Sequence, residues 1–155
     1  MLKWLNLSAL VIVFDQLSKW WANSALELYQ SIAVLPFFNI TLAYNHGAAF
    51  SFLASESGWQ RWFFTGLAVV VSIVLLVWLK RLKTDAKLEA ISLALILGGA
   101  LGNVIDRVVH GYVIDFIDVY YGTYHWPAFN VADSAICVGA ILLILDSFRN
   151  KTEQK

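Results

Sequence analysis

The sequence predicts an all-α membrane protein, one domain over residues 1–155 with four transmembrane helices and both termini in the cytoplasm. Hydrophobic residues make up 59% of the chain and charged residues only 14%, a balance foreign to soluble globular domains. Four apolar segments approach the ~20 residues that cross ~30 Å of hydrocarbon. Lysine and arginine are distributed unevenly around these segments, and this asymmetry indicates the orientation.

The predicted spans are residues 4–21, 62–79, 88–106 and 128–148, with boundaries approximate. The second and third have uncharged apolar cores, whereas the first contains Asp15 and Lys19. The fourth contains Asp133 and, near its far end, Asp146. Strict hydropathy would shorten the first and fourth spans, but neither remaining apolar piece could cross a bilayer alone. An even number of crossings also explains where the positive charge lies.

The basic residues form two unequal groups. One group precedes the first span, separates the second from the third or follows the fourth: Lys3, Lys80, Arg81, Lys83, Lys87, Arg149, Lys151 and Lys155. The opposite side keeps Lys19, Arg61 and Arg107. The positive-inside rule therefore places both termini in the cytoplasm and the outer ends of the Asp-bearing helices outside.

The N-terminal segment also has features of a cleavable signal peptide, namely a basic start, an apolar stretch and a small-x-small site at residues 22–24. Asp15 and Lys19 lie where such a peptide should be neutral. We therefore expect a retained first helix.

Two outer loops are predicted at residues 22–61 and 107–127. Within the first, residues 34–53 mix β-branched and aromatic side chains with Pro36, Asn45 and Gly47, which favours short strands and turns. The second is a surface loop with an apolar and acidic stretch, "YVIDFIDVYY". Because both loops are apolar, we expect them to lie on the membrane surface or on each other, above the helix ends.

Several function classes are excluded by residue content. No block of like charge marks a nucleic-acid surface. The single cysteine, Cys137, excludes an internal disulfide and a Cys-rich metal site, and its apolar stretch predicts a core residue with a protonated thiol. His46, His110 and His125 have no metal-ligand spacing, and no GxSxG motif marks a serine nucleophile.

Charged and polar residues at membrane depth are functional candidates because burying them in hydrocarbon is costly. Asp15 and Lys19 are spaced i, i+4 near the middle of the first span, so they predict a self-neutralising pair with a supporting role. In the third span Gly99, Asn103 and Arg107 form one stripe toward the outer end. The Asn103 amide needs partners, either across helices or at the outer mouth.

A second stripe of the third span contains Gly98, Gly102 and Asp106. Gly98 and Gly102 make a GxxxG pattern, which predicts close helix packing.

Two further carboxylates can meet at the same outer mouth. Asn130 and Asp133 share a face of the fourth span, and Asp115 lies in the loop that leads to it. Two carboxylates a few Å apart would share one proton, as hydrolysis by an aspartic pair requires. From spacing alone the alternatives stay open, because Asp106 and Asp118 are also nearby and Asp133 fits a helix N-cap.

Five short sequence blocks occur in the order and spacing of one membrane enzyme family. They are "DQLSK" at 15–19, "NHGAAF" at 45–50, "GGALGNVIDR" at 98–107, "VIDF" at 113–116 and "FNVAD" at 129–133. Together they resemble the motif blocks of lipoprotein signal peptidases, also called signal peptidase II, over nearly the whole chain. Ser18 stands where this family commonly has threonine, which keeps the hydroxyl.

The resemblance implies that Asp115 and Asp133 are the catalytic dyad of an aspartic endopeptidase. Supporting roles around the site are implied for Asp15, Lys19, Asn45, Gly47, Gly99, Asn103, Arg107 and Asn130, with a small β-strand cradle near Asn45. The implied substrate is a prolipoprotein that carries diacylglycerol on the cysteine after its signal peptide and is cut just before that cysteine. The implied location is the bacterial cytoplasmic (inner) membrane, with the site facing the extracytoplasmic side.

No metal ion or organic cofactor is implied, and we expect a monomer that contacts membrane lipid and no nucleic acid. A small proton-coupled carrier is the main alternative, because intramembrane Asp, Lys and Arg also build proton relays. The polar residues crowd the outer half of the spans, however, and trace no path across. A membrane assembly factor would use only the GxxxG pattern and would leave Asp115 and Asp133 without a role.

Overall fold

The structure, a computed structural model, describes residues 1–47 and 58–152. Within these ranges, long helices alternate with the strands of a small antiparallel sheet. In chain order the elements are α1 (Leu5–Ala25), β1 (Ser31–Leu35), β2 (Phe38–Asn45), α2 (Trp59–Arg81), α3 (Lys87–Val109), β3 (Val113–Tyr121), β4 (Tyr124–His125) and α4 (Val131–Thr152). Each predicted span overlaps one helix, so the mainly helical architecture is confirmed.

Three helices of the described part of the chain are long and apolar enough to cross a membrane. They are α2, α3 and residues Val131–Arg149 of α4. α1 is 21 residues long but is not among them, and it carries Asp15 and Lys19. Three candidate spans therefore follow from length and composition, while the fourth span and the orientation of the termini stay predictions.

α3 is the central helix of the bundle. Its apolar window is 56% buried, against 22% for those of α2 and α4, and it packs against all three other long helices. Small residues permit this close approach: a Cβ atom on Gly98 would lie 2.8 Å from the carbonyl oxygen of Ser8 in α1. Gly102 faces the same helix at Asp15. The predicted GxxxG packing is therefore confirmed.

An apolar cluster closes the end of the bundle where α2 meets α3. Leu79 and Leu93 are fully buried in it, and Met1, Trp4 and Leu143 pack against it. The start of the chain, the connection between α2 and α3 and the far part of α4 therefore lie at one end of the bundle.

The sheet lies at the other end, next to the start of α4. Its strand order is β1-β2-β3-β4, and every neighbouring pair is antiparallel. The register places Ala43 of β2 opposite Asp115 of β3. Because β2 and β3 come from the two predicted outer loops, those loops lie on each other, one of the two arrangements that the sequence left open.

The prediction of a surface loop over residues 107–127 is wrong. α3 continues to Val109, and Val113–Tyr121 forms β3, a strand paired on both sides. Residues 113–116 are all buried, as in a strand covered on both faces. The strands predicted in residues 34–53 are confirmed for β1 and β2, and residues 48–53 lie outside the described residues.

The prediction that Cys137 belongs to the core is also wrong, because the side chain is exposed. Gly139 of the same helix faces α3, where an added Cβ would lie 2.7 Å from the Ser92 carbonyl oxygen. Residues two apart on a helix point in different directions, so Cys137 is turned away from the bundle. An apolar stretch alone does not distinguish a buried face from one that meets lipid.

Candidate active site

Asp115 is held in the middle of the sheet. It lies on β3 opposite β2, and its side chain is almost fully buried, with the residue 2% exposed. The side-chain amide of Asn45, at the end of β2, donates a hydrogen bond of 3.1 Å to Asp115 Oδ2. The pairing of β2 with β3 therefore positions both a carboxylate and one of its donors.

Asp133 lies in the first turn of α4 and is half-buried. The helix begins at Val131, and Asn130 caps it: its side-chain oxygen accepts a hydrogen bond of 2.9 Å from the Asp133 N–H. The alternative of Asp133 as the N-cap is therefore wrong. Its carboxylate is instead directed sideways, where Asp133 Oδ1 accepts a 2.8 Å hydrogen bond from the Asn103 side-chain amide of α3.

The segment before α4 brings the two carboxylates together. Phe129 makes an isolated bridge with Ile117 of β3, and Trp126 donates from its backbone N–H to Val119. The chain thus runs along β3 until it reaches Asn130, beside Asp115. This hydrogen-bonded return is the physical reason why residues from a strand and a helix share one site.

Asn130 connects both members of the pair. Its side chain is fully buried, and its amide nitrogen donates a 2.7 Å hydrogen bond to Asp115 Oδ1 while its oxygen accepts from the Asp133 backbone. The same nitrogen lies 3.2 Å from Asn103 Oδ1, so the amides of Asn103 and Asn130 touch each other as well as the carboxylates. A buried polar network with this many partners fixes the positions of all its members.

The electrostatics of the site favour a shared proton. Burial raises the pKa of Asp115 from its ordinary 3.8 to about 7, and the nearby negative charge of Asp133 adds to the shift. Hydrogen bonds from Asn45 and Asn130 oppose it but do not cancel it. The raised pKa lets Asp115 hold a proton near neutral pH, which the acid member of a carboxylate pair requires.

The predicted pairing of Asp15 with Lys19 is confirmed. Lys19 Nζ lies 2.8 Å from Asp15 Oδ2, and both side chains are almost fully buried. The ammonium also contacts Asp106 Oδ2 at 2.9 Å and donates to Asn103 Oδ1 at 2.9 Å. Lys19 therefore compensates two buried carboxylates and touches the amide that holds Asp133.

Asp15 and Asp106 each orient a segment of the site. Asp15 Oδ1 accepts a 2.9 Å hydrogen bond from the Ala132 N–H in the first turn of α4. Asp106 Oδ2 accepts a 3.1 Å hydrogen bond from the Ile114 N–H, next to Asp115. Asp106 and its neighbour Gln16, which donates a 2.8 Å hydrogen bond to it, were not predicted as site residues. The sequence signals for Asp106 were its stripe with the packing glycines and its position near the outer mouth.

Arg107 and Gly47 form the outer edge of this arrangement. Arg107 Nη2 donates to the Gly47 carbonyl oxygen at 3.1 Å, and the Gly47 N–H donates to Asn45 Oδ1 at 3.0 Å. The guanidinium thus fixes the turn that positions Asn45. Gly99 lies where α3 meets α4, and an added Cβ there would collide with the Ala132 carbonyl oxygen.

His125 and Asp118 form a separate cluster farther along β3. His125 Nδ1 lies 2.9 Å from Asp118 Oδ1, and Asn39 donates a 2.9 Å hydrogen bond to Asp118 Oδ2. No sequence pattern predicted this pairing. It leaves Asp118 out of the Asp115 and Asp133 network.

A cavity of about 430 Å³ opens beside the pair. Asn45 and Asp133 line its polar edge, and Trp126, Phe129 and Ile136 are among its apolar walls. Cys137 also lines it on the exposed side of α4. The cavity therefore gives an extended apolar molecule access to Asp133 from the side of the helix.

Comparison with known proteins decides the family. Residues 7–149 match the family model described as signal peptidase (SPase) II. The chain belongs to the signal peptidase II family. As a member, it is a membrane aspartic peptidase that removes signal peptides from prolipoproteins, and the alternative of a proton-coupled carrier is not favoured.

Relatives of this signal peptidase II cover nearly the whole chain. A lipoprotein signal peptidase of Alteromonas mediterranea is 60% identical over 149 residues, which are 96% of this chain and 82% of the relative. One of Pseudomonas syringae pv. tomato is 61% identical over 97% of this chain and 88% of its own length. A solved structure described as "Bacterial membrane enzyme structure by the in meso method at 2.3 A resolution" is 34% identical, covers 99% of this chain and 92% of its own, and has a TM-score of 0.86.

Proposed function

We propose that this signal peptidase II cuts prolipoproteins that carry diacylglycerol on the cysteine after the signal peptide, just before that cysteine, with Asp115 and Asp133 as the catalytic dyad. The observation that carries this proposal is the Asn130 side chain. It bonds the Asp115 carboxylate and the Asp133 backbone at once, beside a cavity with apolar walls.

The dyad would act as an acid and a base on one peptide bond. The ionised carboxylate takes a proton from a water molecule as the water oxygen attacks the carbonyl carbon before the cysteine. The protonated carboxyl donates a hydrogen bond to the carbonyl oxygen and then passes a proton to the leaving cysteine nitrogen. The pKa of about 7 for Asp115 supports this sharing at neutral pH, and the reaction needs neither a metal ion nor an organic cofactor.

The predicted supporting residues would act by holding this geometry. Asn45, Asn103 and Asn130 donate to the two carboxylates. The remaining residues hold the elements that carry these amides. Lys19 pairs with Asp15, and Arg107 donates to the Gly47 carbonyl oxygen. Gly99 permits the close contact between α3 and α4.

The cavity fits a substrate that remains in the membrane. Its walls include Trp126, Phe129 and Ile136, and burying acyl chain there contributes about 0.8 kcal/mol per CH₂ group. A lipid-bound cysteine would therefore be held in the apolar part while the scissile bond reaches Asp133.

We further propose four spans, with α1 as the fourth and both termini in the cytoplasm of a bacterial inner membrane. α1 exposes Phe14, Leu17 and Leu10 on its outer face, with Phe14 64% exposed, while Lys19 and Asp15 neutralise each other inside. The basic connection between α2 and α3 lies at the same end of the bundle as the start of the chain, which agrees with the positive-inside rule. The dyad would then face the extracytoplasmic side.

The proposed chemistry is tested with purified enzyme in detergent. Wild type should cleave a diacylglyceryl-modified prolipoprotein and leave the unmodified precursor uncut, whereas Asp115→Asn and Asp133→Asn should retain less than about a thousandth of the activity. Asp146→Asn, which removes a buried carboxylate at the far end of α4, is the matched control and should remain active. Normal turnover by either dyad variant would remove that residue from the mechanism.

The orientation is tested separately by cysteine labelling in intact cells, after Cys137→Ser. A cysteine at Lys83 should be protected from a membrane-impermeant reagent, and one at Tyr124 should be labelled. Labelling at Lys83 alone would reverse the orientation without affecting the proposed chemistry.

A further inference from the structure

Two neighbouring cavities lie at the end of the bundle opposite the dyad. The first is a groove of about 430 Å³ along the exposed side of α2, with Ile73, Val74, Val77 and Trp78 as walls and Arg81 also lining it. The second, of about 520 Å³, lies between the connection from α2 to α3 and the far end of α4. Arg81 lines this cavity too. One cationic side chain therefore borders both an apolar groove and a polar pocket.

The polar pocket contains charges of both signs. Arg149 and Asp146 line it but bind each other at 2.8 Å. This leaves two cations, Arg81 and Lys83, and two carboxylates, Asp85 and Glu89, none of which forms an ion pair with another residue in the described ranges. A pocket with this balance suits a ligand that carries one positive and one negative group.

The groove and the pocket are joined by a second contact. The Trp78 ring walls the groove, and its Nε1–H donates a 2.7 Å hydrogen bond to Glu89 Oε1 in the pocket. Ile73 and Arg81 at the two ends of the groove lie eight positions apart on the helix, ~12 Å at 1.5 Å per residue. An occupant would therefore have an apolar chain of about this length next to a charged group.

We propose that this end of the enzyme binds a phospholipid whose headgroup carries a primary ammonium, that is, phosphatidylethanolamine. One acyl chain lies in the groove along Val74 and Val77, the phosphate meets Arg81 and Lys83, and the ammonium meets Glu89 and Asp85. The site is distinct from the substrate cavity, because it lies at the opposite end of α4. It depends on α2 crossing the membrane but not on which end faces the cytoplasm.

The charge balance distinguishes this lipid from its common alternatives. An anionic headgroup without an ammonium would satisfy Arg81 and Lys83 but would leave Asp85 and Glu89 facing a further negative charge. A trimethylated ammonium keeps the charge but cannot donate hydrogen bonds to the carboxylates. Both should therefore bind more weakly than phosphatidylethanolamine.

The test is native mass spectrometry of the full-length enzyme in detergent, with equal amounts of phosphatidylethanolamine, phosphatidylcholine and phosphatidylglycerol of identical acyl chains. Wild type should retain phosphatidylethanolamine about tenfold better than either competitor, the effect of one charge-assisted hydrogen bond. Glu89→Gln keeps an acceptor for Trp78 and removes one of the two carboxylates that meet the ammonium, so it should reduce this preference severalfold. Arg81→Gln should lower the occupancy of all three lipids.

Lys3→Gln is the control, because Lys3 is a basic residue near the same end of the bundle that lines neither cavity. It should bind lipid as wild type does. Peptidase activity reports whether each variant is folded, since none of these residues touches the dyad network; if Arg81→Gln is inactive, Glu89→Gln decides alone. Equal retention of the three lipids by wild type, or an unchanged preference in Glu89→Gln, would overturn the proposal while leaving the proposed catalytic function intact.

Discussion

Replacing Asp115 with asparagine should change how the stability of this signal peptidase II depends on pH. The carboxyl is almost fully buried, and its pKa is raised from 3.8 to about 7, mainly by burial. Below pH 3.8 the Asp115 carboxyl is protonated in both the folded and the unfolded state, so its titration does not change the free energy of unfolding. As the pH rises from 3.8 to 7 the unfolded state loses its proton more readily, so the folded state loses relative stability, and above pH 7 the cost is constant.

The size of this effect follows from the pKa shift. About three pKa units at roughly 1.4 kcal/mol each correspond to about 4 kcal/mol. Asparagine has no such pH dependence, so the stability of Asp115→Asn relative to wild type should rise by about this amount between pH 3.5 and pH 8. The asparagine amide also places an N–H group opposite the N–H donors of Asn45 or Asn130, which destabilises the variant by the same amount at every pH.

The assay is thermal unfolding in detergent, followed by the fluorescence of the seven tryptophans. A change of about 4 kcal/mol should move the midpoint difference between variant and wild type by about 10 °C across this pH range. Asp146→Asn is the control and should destabilise at neutral pH, because it leaves Arg149 without its partner. A midpoint difference that is constant from pH 3.5 to pH 8 would refute the raised pKa and with it the shared proton.

Three further substitutions test the supporting network. Asn130→Ala removes the cap of α4 and should lower the free energy of unfolding by about 1 kcal/mol. It also removes a hydrogen-bond donor to Asp115, so the pH at which activity falls on the alkaline side should rise by about one pH unit. An unchanged pH profile would show that the Asn130 amide does not act on Asp115. Lys19→Met should destabilise by about 3–5 kcal/mol, because it leaves Asp15 and Asp106 buried without a counter-ion; chemical denaturation measures this, and a loss under 1 kcal/mol would contradict it. Gly99→Ala should lower both stability and turnover, because its Cβ would push Ala132 and the start of α4 aside. Gly66→Ala is the control and should be neutral, because an added Cβ there meets open space. Equal behaviour of the two variants would contradict the role of Gly99 in packing.

Most of the helical framework could be predicted because its signals are local. An apolar segment of membrane length needs no knowledge of distant residues, and the GxxxG pattern of Gly98 and Gly102 directly marked the face of α3 that meets α1. The spacing of Asp15 and Lys19 likewise gave their ion pair. These features depend only on residues within one helix.

The sheet and the network could not be predicted in the same way. The sequence predicts a surface loop where β3 lies, because the partner strand β2 is far earlier in the chain and no local pattern marks the pairing. In the structure the pairing of β3 with β2 both buries Asp115 and brings Asn45 to it as a hydrogen-bond donor. Spacing is compatible with Asp133 as a helix cap, and only the contact of its N–H with the Asn130 side chain rules that role out.

The low hydropathy of α1 has the same origin as the chemistry of the site. Three of its polar residues face the bundle: Asp15 and Lys19 are almost fully buried, and Gln16 bonds to Asp106 across the contact with α3. The outer face of the same helix presents Leu10, Phe14 and Leu17. A hydropathy average adds the two faces together, although each face meets a different environment. Asp15, Gln16 and Lys19 lower the hydropathy of α1, and the same side chains bind one another and Asp106 beside the Asp115 and Asp133 pair. The face with Leu10, Phe14 and Leu17 is as apolar as a span requires.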